Sequence, residues 1–517
     1  MSATLAPTSA VTTAHCSERL KALPREVLRT LQRGVEKESL RVRPDGALAT
    51  TPHPAALGSA LKHPRITTDF SESQPELITG VHPNPEACVK ELTEIHQAVY
   101  RAIGDELLWA SSMPCRLPAE DEIPIGRFGT SNIGRMKTVY RMGLAHRYGR
   151  RMQTISGIHY NFSLSEERSD DDYFGLIRNF RRHLWLLLYL FGASPAVCST
   201  FVADRKHELQ RLSDDTLYLP YATSLRMGRL GYQSDAQSAI QASFNDLRSY
   251  GASLEEAMTH PYPPYEAIGI RSGGEYRQLA TTLLQMENEF YSAIRPKRVI
   301  RPGERPLHAL RDRGVEYVEV RLMDLDPFTP VGITTATMRF LDVFLLHCVL
   351  CDSPPDDAAE LGAVIENKLR AASRGREPGL TLVREGEEVP LQEWADDILR
   401  DCVPIAAALD RANGGRAYRD ALASASAALA DPDATPSAQV LETMKRDYGN
   451  SFVRFGLARS RAHRDAIMAL PFPEDVAERF ARLAHESLEE QKRTEAADTL
   501  PFEAFRQIYL APVRLSE

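Results

Sequence analysis

The chain has no apolar run long enough to cross a bilayer. No residue from Leu184 to Ala203 is charged, but the densely apolar part ends at Phe191, and Gly192, Ser194 and Pro195 follow. A membrane-spanning helix needs about 20 consecutive apolar residues. We therefore interpret this stretch as a buried core helix that ends near Gly192, and we predict no membrane association.

An excess of positive charge is also missing. The 517 residues include 62 Lys and Arg against 70 Asp and Glu, which gives a formal net charge of -8. A nucleic-acid-binding protein would have a basic excess concentrated on one face. We predict no nucleic-acid partner and expect small-molecule ligands instead.

Cysteines are few, scattered and odd in number. The seven thiols do not suggest a disulfide framework, so they favour a reducing compartment such as the cytoplasm. Residues 1–17 lack the basic start and apolar core of a secretory signal. We predict that residues 1–25 form a disordered tail.

Two common nucleotide-binding motifs are absent. The sequence contains no P-loop, and no convincing G-x-G-x-x-G follows a predicted strand. It also contains no internal repeat and no coiled-coil run. If a nucleotide binds to this chain, a P-loop does not hold it.

The sequence does contain strand-like segments that carry ionisable or amide side chains two residues apart. Because side chains alternate across a strand, each pair lies on one face. The pairs are Glu36 with Glu38, His159 with Asn161, and Glu319 with Arg321, and the stretch 66–79 adds Asp69 and Glu76. If these segments share a sheet, they form a carboxylate-rich wall suited to a divalent cation and the phosphates it carries.

The wall also has plainer interpretations. Glu36 and Glu38 could face solvent, although Glu is depleted in strands and two on one face repel each other. His159 could be a core histidine, but its polar same-face neighbour Asn161 favours a ligand or phosphate contact. Oxygen ligands favour Mg²⁺, or Mn²⁺, over zinc. We interpret Cys348 and Cys351 as two buried thiols because they lie within an apolar helical run.

Two basic clusters are ambiguous. The segment 126–151 contains Arg141 among eight Arg, Lys and His residues, and the segment 294–298 contains two Arg and one Lys. Each cluster could be a solvated surface. Each could also clamp a phosphate or carboxylate, since the guanidinium fork binds such groups through two hydrogen bonds.

Helical periodicity indicates helices over Pro85 to Gly104, Asp171 to Phe191 and Met338 to Cys351, the last apolar almost all round. Beyond Thr334, alanine and leucine become more frequent and helical patterns dominate. We predict a catalytic core over residues 26–335. Residues 336–517 are predicted to be helical support packed on it within one large domain.

Several short motifs occur in order along the chain. They lie at residues 34–42, 66–70, 112–115, 128–132, 152–163, 190–195, 218–226, 294–298 and 316–321. These motifs resemble those of the glutamate–cysteine ligases of the gamma-proteobacterial type. The resemblance is specific from about residue 31 to 335 and diffuse beyond it.

This resemblance implies an α+β fold in which a curved antiparallel sheet, like that of glutamine synthetase, forms a funnel-shaped active site surrounded by helices. It implies ATP-dependent ligation of the L-glutamate γ-carboxylate to the L-cysteine amine through γ-glutamyl phosphate, the first step of glutathione biosynthesis. The implied Mg²⁺ ligands are Glu36, Glu38, Asp69, Glu76, His159 and Glu319. Arg321 and Arg141 would meet phosphate or the activated carboxylate, and the implied substrate-binding residues are Tyr140, Arg226, Tyr232, Tyr291 and Asn161.

One departure from the family pattern is Pro75, which replaces an apolar strand residue. Proline cannot donate to a strand ladder, so the strand that bears Glu76 should be at an edge or begin at Pro75. Three other functions stay open. They are a ligase that joins glutamate to another amine, a metal-dependent phosphohydrolase, and a binding protein without enzymatic activity.

Overall fold

The computed structural model describes residues 16–164, 168–203, 205–231, 235–240, 242–301 and 303–512. The helices, in chain order, are α1 (16–22), α2 (Arg25–Arg29), α3 (Pro85–Ala102), α4 (Asn132–Tyr148), α5 (Asp170–Phe191), α6 (Asp235–Ser238), α7 (Leu247–Thr259), α8 (Pro263–Ile268), α9 (Pro306–Arg313), α10 (Thr335–Leu350), α11 (Ala358–Arg374), α12 (Leu391–Asn413), α13 (Ala417–Ala430), α14 (Pro436–Tyr448), α15 (Phe452–Ala469), α16 (Glu474–Ala496) and α17 (Phe502–Tyr509).

The strands are mostly short. They are β1 (Gln32–Glu38), β2 (Arg41–Val42), β3 (Ile66–Thr68), β4 (Pro75–Ile78), β5 (Leu107–Leu108), β6 (Ile158–Ser163), β7 (Ala196–Cys198), β8 (Gln210–Arg211), β9 (Thr216–Tyr218), β10 (Arg271–Ser272), β11 (Glu275–Tyr276), β12 (Ile294–Lys297), β13 (Tyr317–Met323), β14 (Thr381–Arg384) and β15 (Glu387–Pro390).

The main sheet is antiparallel and open. In the described part of the chain it has six strands in the order β12, β13, β6, β1, β4, β3. Neighbouring strands all run antiparallel, and the β13 pairing with β6 is irregular between Val320 and Met323. The predicted α+β class with an antiparallel sheet among helices is confirmed.

One face of this sheet is apolar and packs against helices. Val35, Tyr160, Phe162, Val318 and Val320 are almost completely buried on it. α5 packs on β12 and β13, and α3 packs on β1 and β4. Fully burying an aliphatic or aromatic side chain contributes roughly 1.5–3 kcal/mol. The helices therefore cover the apolar face of the sheet, and the opposite, polar face lines a cavity.

The long helices begin and end at recognisable signals. α5 starts at a capping box in which Ser169 and Asp172 satisfy each other's backbone N–H groups, and it ends before Gly192. α3 begins with Pro85 after Asn84, whose side chain accepts a hydrogen bond from the Ala87 N–H at 2.8 Å. The helices predicted from periodicity around residues 85–104, 171–191 and 338–351 are confirmed. No described helix is both long and apolar enough to cross a membrane.

Three further predictions can be compared with the structure. β4 begins at Pro75 and lies between β1 and β3, which agrees with a strand that starts at the proline. All seven cysteines are free and buried, including Cys348 and Cys351. The disordered tail is wrong for residues 16–25, because α1 forms there and buries Cys16 and Leu20 in the core. Residues 1–15 lie outside the described part.

Candidate active site

The polar face of the main sheet lines a cavity of about 1360 Å³. The register of the sheet pairs Glu36 with His159, Glu38 with Glu76, and Glu319 with Asn161. Because each pair lies on directly opposed positions of neighbouring strands, the side chains share one face. Four strands that are distant in sequence therefore bring the predicted carboxylates and imidazole together.

His159 lies at the centre of this face and is almost completely buried. Its Nδ1 is 3.2 Å from Oε2 of Glu36 and 3.6 Å from Oε1 of Glu319. Its Nε2 is 3.4 Å from Oε1 of Glu38. One imidazole thus bridges carboxylates of the two strands that flank β6.

The pKa values of these carboxyl groups are driven apart by their surroundings. Burial, and then the negative charge of Asp69, raise the pKa of Glu38 to about 6. Burial and three neighbouring carboxylates raise the pKa of Glu76 well above its usual range. Burial acts the same way on Glu319, but nearby cations, first Lys297 and then Arg321, outweigh it and hold its pKa well below the usual range.

The donor set of this face fits a hard divalent cation. Glu36, Glu76 and His159 each offer a ligand atom, and these atoms lie within 4.8 Å of one another. Oε2 of Glu319 is buried without a hydrogen-bond partner among the described residues. Carboxylate oxygens with one imidazole suit Mg²⁺ or Mn²⁺ better than a soft metal. Glu38 and Asp69 line the same cavity, and the assignment of each individual residue as a ligand stays a prediction.

Arg321 extends from β13 on the same face as Glu319. Its Nη1 lies 3.1 Å from Oε1 of Glu319 and 3.4 Å from Nδ1 of His159. Burial would lower the pKa of its guanidinium, but Glu319, Glu38 and Glu36 raise it above the usual value. Arg321 therefore presents a fixed positive charge beside the carboxylates, where a phosphate would need one.

The basic segment 126–151 is neither a uniformly solvated face nor a single clamp. Arg141 lines the cavity, donates to the backbone carbonyls of Asp69 and Thr68, and stacks with its Cζ 4.3 Å from the centre of the Phe128 ring. Arg147, in contrast, forms a buried ion pair with Glu289 at 2.8 Å. Arg141 thus holds the Asp69 segment in place, and its contact with phosphate stays a prediction.

The predicted substrate-binding residues separate into three groups. Tyr140, Arg226 and Tyr291 line the cavity. Asn161 is not among its described lining residues; it donates from Nδ2 to Oε1 of Glu36 at 2.9 Å and so orients that carboxylate. Tyr232 lies outside the described residues.

The guanidinium of Arg226 lies directly against the backbone of Gly157. Its Nη2 donates to the Arg321 carbonyl at 2.8 Å. A Cβ added at Gly157 would lie 2.1 Å from Nη2 of Arg226 and 2.5 Å from its Cζ. Only glycine at position 157 lets the backbone approach the guanidinium this closely.

Several cavity residues were missed or left undecided by the sequence analysis. Arg295 and Lys297 belong to the ambiguous basic cluster 294–298, and the structure places both on the cavity wall. Arg493 and Tyr509 line the cavity from α16 and α17, although residues 336–517 were predicted to be only support. That prediction is therefore incomplete. A helical pattern gives no signal that one end of a helix will face a distant sheet.

A buried arginine fixes this C-terminal wall. Arg305 pairs with Glu287 at 2.9 Å and donates to the carbonyls of Tyr509 at 3.3 Å and Ala511 at 2.9 Å. The end of α17 is therefore attached to the segment before α9, and it lies at the cavity rather than apart from it.

An open antiparallel sheet whose polar face gathers carboxylates, an imidazole and guanidinium groups in one large cavity is the arrangement expected of an enzyme that acts on a phosphate-bearing substrate. The sequence profile described as glutamate–cysteine ligase matches residues 18–371. The glutamate–cysteine ligase of Pseudomonas entomophila is 50% identical and covers 94% of this chain and 95% of its own length. That of Azotobacter vinelandii is 49% identical, with 94% and 96% covered.

Two solved structures are also similar. The glutamate–cysteine ligase of Francisella tularensis, in complex with AMP, has a TM-score of 0.89 and 35% identity and covers 93% of this chain and 97% of its own. A bifunctional glutathione synthetase of Pasteurella multocida has a TM-score of 0.70 and 26% identity, with 92% and 58% covered. The chain belongs to the glutamate–cysteine ligase family of ATP-dependent ligases. The predicted family and the predicted ligase class are confirmed.

Proposed function

We propose that this chain uses ATP and Mg²⁺ to join the γ-carboxylate of L-glutamate to the amine of L-cysteine through γ-glutamyl phosphate. The observation that carries the proposal is the cavity face on which His159 contacts carboxylates from both flanking strands, with Arg321 beside it. Membership of the ligase family supports the choice of reaction.

The reaction needs an activated carboxylate, because a free carboxylate is a poor electrophile. An oxygen of the glutamate γ-carboxylate attacks the terminal phosphorus of ATP, and ADP leaves. The cysteine amine then attacks the acyl carbon, phosphate leaves, and the amine loses a proton. Phosphoryl transfer depends mainly on positioning the reactants and on neutralising the charge of the phosphate. The chain's charged side chains therefore make the main contribution to this step.

The family resemblance implies the following roles, and the placement of the side chains around one cavity supports them. Glu36, Glu38, Asp69, Glu76, His159 and Glu319 would hold Mg²⁺, with Mn²⁺ as a possible substitute. When bound, the cation supplies positive charge to the transferring phosphate. Arg321 neutralises the same phosphate from β13, and Arg141 holds the Asp69 backbone and faces the cavity.

The amine side of the cavity is assigned to cysteine. Arg226 would pair with the cysteine carboxylate, and Tyr140, Tyr291 and Tyr232 would surround the thiol and amine. Gln153 donates from Nε2 to the Tyr291 hydroxyl at 2.7 Å and thereby fixes that ring. Asn161 orients Glu36. The cytoplasmic location and the absence of a nucleic-acid partner stay predictions.

A product assay by mass spectrometry tests the proposal. We expect γ-glutamylcysteine and ADP from ATP, glutamate, cysteine and Mg²⁺, and no product when Mg²⁺ is withheld. Product formed equally well with other amines would instead identify a ligase of different amine specificity. Phosphate released without either amino acid would identify a phosphohydrolase, and metal-independent product would contradict the whole assignment.

A further inference from the structure

A second group of metal-ligating side chains lies where α5 packs against α10, outside the lining of the active-site cavity. His183 is on α5, and His347 and Cys348 are consecutive residues near the end of α10. One nitrogen of each imidazole and the Cys348 sulfur lie within 4.8 Å of one another. The mechanism proposed above makes no use of these residues.

The two imidazoles have unused hydrogen-bonding capacity. His347 is almost completely buried, and its Nδ1 has no hydrogen-bond partner in the described part of the structure. Nδ1 of His183 is likewise buried without a partner among those residues. A buried polar nitrogen without a partner lowers the stability of the fold, so such atoms call for an explanation such as an ion. The rings lie with their centroids 5.8 Å apart.

We propose that His183, His347 and Cys348 form a binding site for a soft divalent cation of the zinc type. Two imidazoles and one thiolate are the ligand types that such ions prefer, whereas Mg²⁺ prefers oxygen. This site is additional to the proposed ligase function and independent of it. None of the described residues that line the active-site cavity is a cysteine, so the two sites differ in chemistry.

The surroundings are compatible with a positive ion. Asp401, on α12, has Oδ2 4.0 Å from Nε2 of His347. Arg182 and Arg384 add positive charge near His183, although each also has an acidic partner, Glu360 for Arg182 and Asp397 at 2.9 Å for Arg384. The Cys348 thiolate and the nearby Asp401 carboxylate would offset part of the charge of a divalent cation.

Burial affects the two kinds of ligand in opposite ways. Burial and the neighbouring His347, Arg182 and Arg384 hold the pKa of His183 well below its usual range, so its imidazole is neutral and ready to ligate. Burial raises the pKa of the Cys348 thiol. The ion must therefore displace one proton, from Cys348 to solvent, and we expect binding to strengthen as the pH rises.

Cobalt titration tests the site directly. We titrate Co²⁺ into the chelator-treated full chain with Mg²⁺ in excess, and follow the thiolate-to-cobalt charge-transfer absorption. We expect one equivalent of Co²⁺ to produce this band, and Zn²⁺ to abolish it by displacement. The oxygen-rich active site cannot produce this band. If the wild-type chain shows no charge-transfer band, the proposal is wrong.

Variants locate the ligands. We expect Cys348→Ala and His183→Gln each to weaken Co²⁺ binding more than the roughly 10–100-fold that follows from losing an outer partner of a ligand. Cys88→Ala is the matched control, because Cys88 is also a completely buried thiol, but on α3. It should keep the band, and all three variants should keep Mg²⁺-dependent ligase activity. A band that survives in Cys348→Ala, or disappears in Cys88→Ala, would contradict the assignment.

If a variant folds poorly, the effect of Zn²⁺ on the thermal unfolding midpoint provides a second test of the site. Because an ion that binds only the folded state stabilises it, Zn²⁺ should raise the thermal midpoint of the wild-type chain and of Cys88→Ala. It should not raise that of Cys348→Ala. Equal shifts in Cys348→Ala and the wild type would overturn the proposal independently of the absorption measurement.

Discussion

The charged side chains on the two faces of the main sheet have different neighbours. On the core face, the guanidinium of Arg33 pairs with Asp342 at 3.1 Å, and the Tyr160 hydroxyl donates to the same carboxylate at 2.7 Å. On the cavity face, Glu38 and Glu76 lie beside other carboxylates, and their pKa values are raised. The ion pair on the core face stabilises the fold. The neighbouring carboxylates on the cavity face repel each other, so a bound cation would stabilise them.

The core face of β1 also contains a buried lysine, Lys37. It is on β1 between Glu36 and Glu38, but it points into the core, where its Nζ lies 2.7 Å from Nε2 of His96. Burial lowers the pKa of Lys37 to about 7. Burial thus reduces the charge of Lys37, for which no acidic partner is found among the described residues, just as burial and like charges reduce the charges of Glu38 and Glu76.

The largest expected effect is on the cavity face. Glu319→Gln removes a charge from the proposed cation site while keeping the shape of the side chain, so we expect γ-glutamylcysteine formation to fall by at least about 10³-fold, or about 4 kcal/mol. Glu316→Gln, just before the same strand but exposed, should retain activity. Mass-detected product and the unfolding midpoint are measured together. Activity within tenfold of wild type in Glu319→Gln would remove Glu319 from the site.

The next effect is on the core face. Asp342→Leu leaves the buried Arg33 unpaired, so we expect it to lower the free energy of unfolding by about 3 kcal/mol in urea titrations. The double variant Arg33→Met with Asp342→Leu should recover most of this loss, because no charge is then left alone. The folded fraction should keep its specific activity. No recovery in the double variant would argue against a paired-charge role.

A smaller effect is expected where the backbone meets Arg226. Gly157→Ala places a Cβ against the guanidinium and must displace it. If Arg226 binds the cysteine carboxylate, the KM for cysteine should rise about tenfold, or about 1.4 kcal/mol, with a smaller change for ATP. Gly362→Ala is the control, since an added Cβ there meets no atom within 4 Å. A uniform loss for all three substrates would contradict the specific role of Arg226.

The smallest expected effect is a pH dependence of Mg²⁺ affinity. The pKa of Glu38 is raised to about 6, so this carboxyl group binds a proton as the pH falls through that value and then competes with the cation. Calorimetric titration should find the apparent Kd of Mg²⁺ to rise severalfold between about pH 7 and about pH 5.5. Glu38→Gln should bind more weakly but with a flatter profile. A pH-independent Kd in the wild type would argue that Glu38 is not a ligand.

Much of the cavity face could be predicted because a strand has a period of two. Once Glu36 and Glu38 are assigned to one strand, they must share a face, and the same holds for Glu319 and Arg321. The family motifs supplied the partner strands. The helix ending near Gly192 could be predicted because its apolar stretch is followed by Gly, Ser and Pro.

Other features depend on distant packing that the sequence does not reveal. The sequence predicts one basic helix for the segment of Arg141 and Arg147. One arginine faces the cavity and the other is buried against Glu289, because their separation of six residues corresponds to about one and two-thirds helical turns. α1 was missed because its stability comes from burying Cys16 and Leu20 against residues far along the chain. His183 meets His347 for the same reason.

The attachment of Tyr509 and Ala511 to Arg305 has a consequence for how the cavity could be altered. All six proposed Mg²⁺ ligands precede residue 320, whereas Arg493 and Tyr509 form a wall of the same cavity. A chain shortened before α16 would lose this wall but not the carboxylates of the sheet. The wall and the carboxylate face are therefore encoded in separate stretches of sequence, and the shape of the cavity can change without altering a single strand.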